Sequence, residues 1–310
     1  MALDQANLDY PMRRYGMDHD RYDWNMLTDQ PPVQWPGGKP LAVWVNVSLQ
    51  HFPMNPSAKI KLPGSMTMPH PDLRHYTLRD YGNRVGLYRF LDAFDRYGIC
   101  PSFSINAELV QRYPALMDAV RARGDEVLGH SWSMDTPHHG GLDIEVERAT
   151  VQRSLASLRE ASGQAVRGWL SPGKLQSANT PELLKAEGIE YFADWVNDEL
   201  PYRFHTALGD VWNLPLATEI EDRFVVMDNL HSEASWAEQV VDAFELLLAE
   251  AREAGAGRLL TLSLHPWVMG QPHRIHHLEA VLAHIAASRE VWQAAPGQIL
   301  DAFTAQQVTA

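Results

Sequence analysis

Cysteine is almost missing: Cys100 stands alone in 310 residues. An intramolecular disulfide and a cysteine-based metal site are both excluded, and a reduced, cytoplasmic setting is expected. Basic charge is scarce too. The 26 Lys and Arg against 39 Asp and Glu leave a formal charge of −13, with no basic run. Such a chain repels a phosphate backbone, so nucleic acid is not an expected partner. No stretch approaches the roughly 18 consecutive apolar residues of a membrane span. The polar opening MALDQANLDY has no apolar signal core, so neither a membrane nor a cleaved secretion signal is expected. Glycine-rich phosphate loops are also absent. What the chain does have is 45% hydrophobic residues, enough for a sizeable core, and 14 histidines able to bind metals or carry protons near neutral pH.

Residues 1–40 are rich in Pro, Asp and Tyr without sustained periodicity and end in Pro36-Gly37-Gly38. They are expected to form an irregular arm that wraps the outside or meets a partner subunit. From Leu41, LAVWVNVSL is a nearly continuous apolar run of strand length, as in a strand buried on both faces. The Pro/Met-rich loop from Phe52 to Pro71, with Met54, Met66 and Met68, is expected over the mouth of the fold or at a subunit contact. An amphipathic helix, NRVGLYRFLDAFDRYGI, then stops at Gly98.

The alternation continues through strands PSFSINA, EVLGH, VRGWLSPG, IEYFADWV, VWNLPLA, RFVVMD and RLLTLSLH, with helices between most of them. Alternating strands and helices imply parallel pairing through crossover connections. With no linker, residues 41–310 fit one α/β barrel domain better than two domains, a doubly wound open sheet being the alternative.

In a parallel barrel the chemistry belongs at the C-terminal ends of the strands. Those ends are polar: Gln50-His51, His130-Ser131, Ser171-Pro172-Gly173, Asp194-Trp195 and His265. Three separate strands finish in a histidine behind an apolar run. Each alone reads as a satisfied core or rim residue, whereas three at one end of one sheet point to a site.

These strand ends resemble the motifs of the polysaccharide deacetylase superfamily (carbohydrate esterase family 4). The resemblance covers roughly residues 40–300 and implies a distorted (β/α)7 TIM-like barrel. The family's T-F-D-D-G-P motif resembles Ser48-Leu49-Gln50-His51-Phe52-Pro53, so the base aspartate falls on Gln50 and the metal aspartate on His51. Its H-S/T-x-x-H motif resembles His130-Ser131-Trp132-Ser133-Met134, with Met134 where a second histidine ligand belongs. Arg167 to Gly173, the stretch around Asp194 and Trp195, and Leu264-His265 resemble the remaining motifs. WPGGKPLAVWV, DYGNRVGLYRFLD, DWVNDELPY and LSLHPWVMGQPHRIHHLEAVL are similar to the branch of cofactor-independent allantoinases and cyclic imide hydrolases.

The resemblance implies water attack on the carbonyl of an amide, imide or ureide in a small, probably cyclic, nitrogenous molecule. The alternatives are a metal-dependent carbohydrate N-deacetylase and a catalytically silent ligand-binding barrel. His51 or His130 activates water, directly or through a shared divalent metal (Zn, Ni or Co) if one is bound; Gln50 donates its amide to substrate or oxyanion, and His265 protonates the leaving nitrogen. Glu219 is a reserve carboxylate base. Arg84, Trp132, Arg167, Pro172, Asp194 and Trp195 are the expected substrate-binding or orienting residues. His138 and His139 either replace the ligand lost at Met134 or lie in a mobile surface loop. A homodimer or homotetramer is expected.

Overall fold

The computed structural model describes residues 19–56, 71 and 73–307. Among them nine strands form one sheet: β1 (Leu41–Leu49), β2 (Ser102–Ile105), β3 (Glu126–Gly129), β4 (Gly168–Trp169), β5 (Tyr191–Phe192), β6 (Tyr202–Phe204), β7 (Val211–Asn213), β8 (Arg258–Leu264) and β9 (Val291–Gln293). They run in the order β6-β7-β5-β4-β3-β2-β1-β8, with β9 also on β1. Every pairing is parallel except β6 with β7. Strands β1 to β5 stay neighbours in sequence order, so there is no switch point of the doubly wound kind. The sheet is a curled half-barrel of α/β type, its ladder ending at β6 and β8.

The helices follow from their signals. They are α1 (Leu73–Tyr81), α2 (Leu87–Tyr97), α3 (Glu108–Arg112), α4 (Pro114–Arg123), α5 (Ile144–Ser162), α6 (Thr180–Ala186), α7 (Glu233–Ala254), α8 (Pro266–Met269), α9 (Ile275–Ala287) and α10 (Pro296–Gln307). Asp143 caps α5 by accepting from the amides of Glu145 and Val146, which satisfies two of the orphan donors of its first turn. The β1 strand is buried along its whole length, as its unbroken apolar run requires. Phe90, Phe94, Phe103 and Trp236 are fully buried in the main core between sheet and helices.

The described part of the arm packs outside the sheet. Trp35, buried, donates Nε1–H to the Arg258 carbonyl at 2.7 Å, and the Gly257 amide donates to the Val33 carbonyl. These contacts lie at the N-terminal end of β8, away from the strand ends that carry the histidines.

One expected strand is not a strand. In RFVVMD, Phe224–Asp228 forms a π-helical turn. Arg223 reaches forward to Asp228 at 2.7 Å, a pairing five residues apart that an extended chain cannot make. The β-branched Val225 and Val226 favour a strand only weakly, and burial of both in the turn outweighs that preference. The short β6 and β9 and the helix α10 carry too little periodicity to stand out in the sequence.

Candidate active site

The C-terminal ends of the strands open into a cavity of about 350 Å³. Gln50, following β1, lines it, with His130 after β3, Ser171 after β4, Asp194 after β5 and His265 after β8. Both cavity histidines are held from behind. His130, 1% exposed, directs Nδ1 at the Leu170 carbonyl at 2.5 Å. A carbonyl only accepts, so Nδ1 carries the proton and Nε2 presents a lone pair. Gln50 Nε2 donates toward that lone pair across 3.4 Å, while Gln50 Oε1 accepts from Trp267 Nε1 at 3.4 Å. Burial pushes the His130 imidazole down to about 4, so it is neutral at neutral pH and a weak base.

His265 is built differently. Its Nδ1 lies 2.7 Å from Asp222 Oδ1, and its own amide donates to Asp222 Oδ2 at 2.8 Å. Asp222 is completely buried and receives both bonds, which fixes the ring and turns Nε2 into the cavity. That Nε2 stands 4.0 Å from Glu221 Oε1. Burial is the largest influence on Glu221 and would raise its carboxyl, but His265, Lys174 and Arg223 together outweigh it and hold the group below its ordinary value. It is an anion inside the cavity wall.

A second layer sets the backbone. Asn106 accepts from the His51 amide at 2.8 Å and donates to the His130 carbonyl, and Asn83 donates to the Gln50 carbonyl at 2.9 Å. Arg79, 3% exposed, lines the cavity with its guanidinium 4.6 Å from both the Phe52 and Trp267 ring centres. Lys174 adopts a positive φ of 57°, uncommon for a residue with a side chain. Its ammonium enters the cavity wall and donates to the Leu216 carbonyl and Thr218 Oγ1, each at 2.6 Å.

Of the residues expected at the site, Gln50, His130, His265 and Asp194 meet in this cavity. His51 does not join them: its ring is buried on the other side of the strand end, Nε2 lying 3.7 Å from Glu108 Oε1. The pair His51 and His130 therefore does not converge on one point. Glu219 is exposed in the turn, and the carboxylate in the cavity is Glu221. Arg84 is 74% exposed beside Asp80; the arginine of this helix that reaches the cavity is Arg79.

Arg167 precedes β4, at the opposite end of the sheet, and bridges Glu190 and Asp301. That is a structural ion-pair cluster. Trp132 lies under the Arg153 guanidinium. Pro172 and Trp195 flank lining residues without lining the cavity, Trp195 donating to Gln176 Oε1. His138 is no surface residue: it is buried, with Nδ1 2.9 Å from Glu147 Oε1, while His139 is exposed. In the loop from Phe52 to Pro71, residues 57–70, which include Met66 and Met68, lie outside the described residues.

Sequence reasoning missed Glu221, Asp222, Lys174 and Arg79. Asp222 had a findable signal, since an acid–base histidine needs an orienting acceptor and the acid-rich segment TEIED supplies the acids. Lys174 had none, because only its left-handed backbone aims it inward.

The donors here do not suit the divalent metal that the deacetylase resemblance implies. Gln50 and Met134 stand where a carboxylate and a histidine would be needed, His51 points away, and His130 Nε2 faces the Gln50 amide. Among the described residues no three His, Cys, Asp or Glu side chains are grouped to hold a metal ion. The described residues do not fit the group.

A second hollow of about 420 Å³, between the arm and β6, is lined by aromatics including Tyr22, Trp24, Tyr202 and Trp212, and no strand-end histidine reaches it.

Fold and site together define an α/β-barrel protein with two buried histidines in a small cavity at the strand C-termini. Residues 65–192 match the family described as Polysaccharide deacetylase. A Schizosaccharomyces pombe protein described as "Putative polysaccharide deacetylase" is 26% identical over 266 residues, 78% of this chain and 81% of its own. A solved structure described as a probable polysaccharide deacetylase from Pseudomonas aeruginosa superposes with a TM-score of 0.76 at 24% identity, covering 89% of this chain and 95% of that one. The crystal structure of Puue allantoinase superposes at 0.79 and 24% identity, covering 96% and 98%. The match to the polysaccharide deacetylase family thus spans residues 65–192, and the likeness to the two solved structures is one of fold.

Proposed function

We propose that the cavity hydrolyses a carbon–nitrogen bond, other than a peptide bond, of a small amide, imide or ureide. The family domain and the allantoinase-like fold support C–N hydrolysis as the class. The observation that carries the reading is the Asp222–His265 pair, whose Nε2 is free in a cavity shared with His130 and Gln50.

His265 Nε2 takes a proton from water as the water oxygen bonds to the carbonyl carbon. Asp222 stabilises the imidazolium that forms. The second N–H of Gln50 and the Arg79 guanidinium stabilise the developing oxyanion. The C–N bond then breaks as His265 returns the proton to the leaving nitrogen, releasing an acid and an amine or amide. His130 orients Gln50 through its neutral Nε2. No step is routed through a metal.

A cavity of about 350 Å³ suits a small ring better than a sugar chain. Carbohydrate N-deacetylation is the second reading, favoured by the family match. Screening allantoin, hydantoin, succinimide, formamides and chitooligosaccharides separates the two. Hydrolysis of a cyclic substrate, lost in His265→Ala, is the expected result. Turnover of chitooligosaccharides alone favours the deacetylase, and binding without any turnover favours a silent barrel.

A further inference from the structure

Three carboxylates stand at the cavity, and two are saturated. Asp194 accepts from the Ser171 amide and hydroxyl and from Gln176 Nε2. Asp222 accepts both His265 donors. Glu221 is different. Its Oε1 accepts from Arg223 Nε at 3.0 Å, but its Oε2 takes no hydrogen bond from any described residue. Lys174 Nζ is 3.7 Å from Oε2 and already donates to the Leu216 carbonyl and Thr218 Oγ1. Glu221 is 5% exposed, so the oxygen faces the cavity and little else.

An anionic acceptor that opens on the cavity without a protein donor repels any substrate oxygen brought against it. What relieves it is an N–H. The other oxygen of the same carboxylate lies 4.0 Å from His265 Nε2. A carbonyl carbon placed for attack by water on His265 therefore puts its neighbouring nitrogen against Glu221.

We propose that Glu221 determines specificity by accepting a hydrogen bond from the substrate N–H next to the scissile carbonyl. The inference rests on the C–N hydrolase reading above. It narrows the substrates to imides, ureides and amides that keep an N–H, and refuses N-alkyl imides and tertiary amides.

Succinimide and N-methylsuccinimide test it on the wild-type protein, Glu221→Gln and Glu221→Leu, with affinity read by calorimetry and kcat and KM wherever turnover occurs. The wild-type protein is expected to prefer succinimide by about tenfold to a hundredfold, the range of a hydrogen bond to a charged group. The preference falls in Glu221→Gln and vanishes in Glu221→Leu, which still binds the methylated compound and so shows an intact cavity. In cycle terms, methylation and Glu221 removal are not additive. A preference that survives in Glu221→Leu has a steric origin and overturns the proposal, as does equal affinity or no binding of either compound to the wild type. Should Glu221→Leu fail to fold, an unchanged preference in Glu221→Gln overturns it equally. Preferential binding without hydrolysis sinks the hydrolase reading and leaves this one standing; hydrolysis without preference does the reverse.

Discussion

In the proposed hydrolysis, turnover depends most directly on Asp222 and His265. General acid–base groups contribute about 10²- to 10⁴-fold, so Asp222→Asn and His265→Ala are each expected to lower kcat by that order, with KM changed far less. His51 provides the contrast. Its ring faces Glu108 and not the cavity, so His51→Gln is expected to leave kcat nearly unchanged; a loss as large as that of His265→Ala would bring back a His51–His130 metal pair. His130 carries the acid sensitivity. Its folded value of about 4 lies below the ordinary 6.5, so the unfolded chain takes up the proton first as pH falls. The stabilisation is whole above pH 6.5 and is lost progressively down through pH 4, a swing of about 3 kcal/mol. His130→Asn should flatten the fall of unfolding free energy across that window, measured by urea titration at several pH values. At this scale Gln50, His130 and His265 were legible because each directly follows an apolar strand. His51 was misread because neighbouring strand-end residues point to opposite sides, so Gln50 and His51 could not both enter the cavity. The same geometry on a helix, four residues apart, puts Arg79 and Asn83 on the buried face and leaves Arg84 outside.

At the scale of elements, α8 carries the backbone that leaves His265, whose ring Asp222 orients. This short helix begins one residue after His265 and crosses the π turn between α1 and α2 at almost no distance. A Cβ on Gly86 would stand 2.1 Å from the Pro266 carbonyl oxygen, and one on Gly82 would stand 2.6 Å from the Trp267 amide. Neither backbone atom can swing aside. Gly86→Ala is therefore expected to cost about 1–3 kcal/mol in denaturant unfolding and to lower kcat by displacing His265. A variant as stable and active as the wild type would show that the crossing tolerates a side chain. Helix stops at Gly98, Gly124 and Gly163 could be read in advance, since each takes a positive φ at a helix end. The π turn at Phe224–Asp228 could not, because its valines look like strand and the Arg223–Asp228 pairing is visible only once the turn exists.

Over the whole molecule, no helix among the described residues is long and apolar enough to cross a membrane. The arm presents Trp24, Met26 and Leu27 outward, each more than half exposed. Covering such groups is a reason for copies to associate, and light scattering is expected to give a homodimer or homotetramer; a monomer at micromolar concentration removes the expectation.

The sequence by itself determined that the chain is a mostly parallel α/β barrel with polar groups at the strand C-termini, because hydrophobic period and helix stops are local properties of consecutive residues. It also showed the loss of a carboxylate at Gln50 and of a histidine at Met134. Which polar residues meet was decided only by the tertiary structure. The Asp222–His265 pair joins residues 43 positions apart, Arg79 is aimed by its packing between Phe52 and Trp267, and Glu221 replaces Glu219 because a turn, not a strand, carries them. Distances between strand ends depend on how the sheet curls, and curl belongs to no single segment.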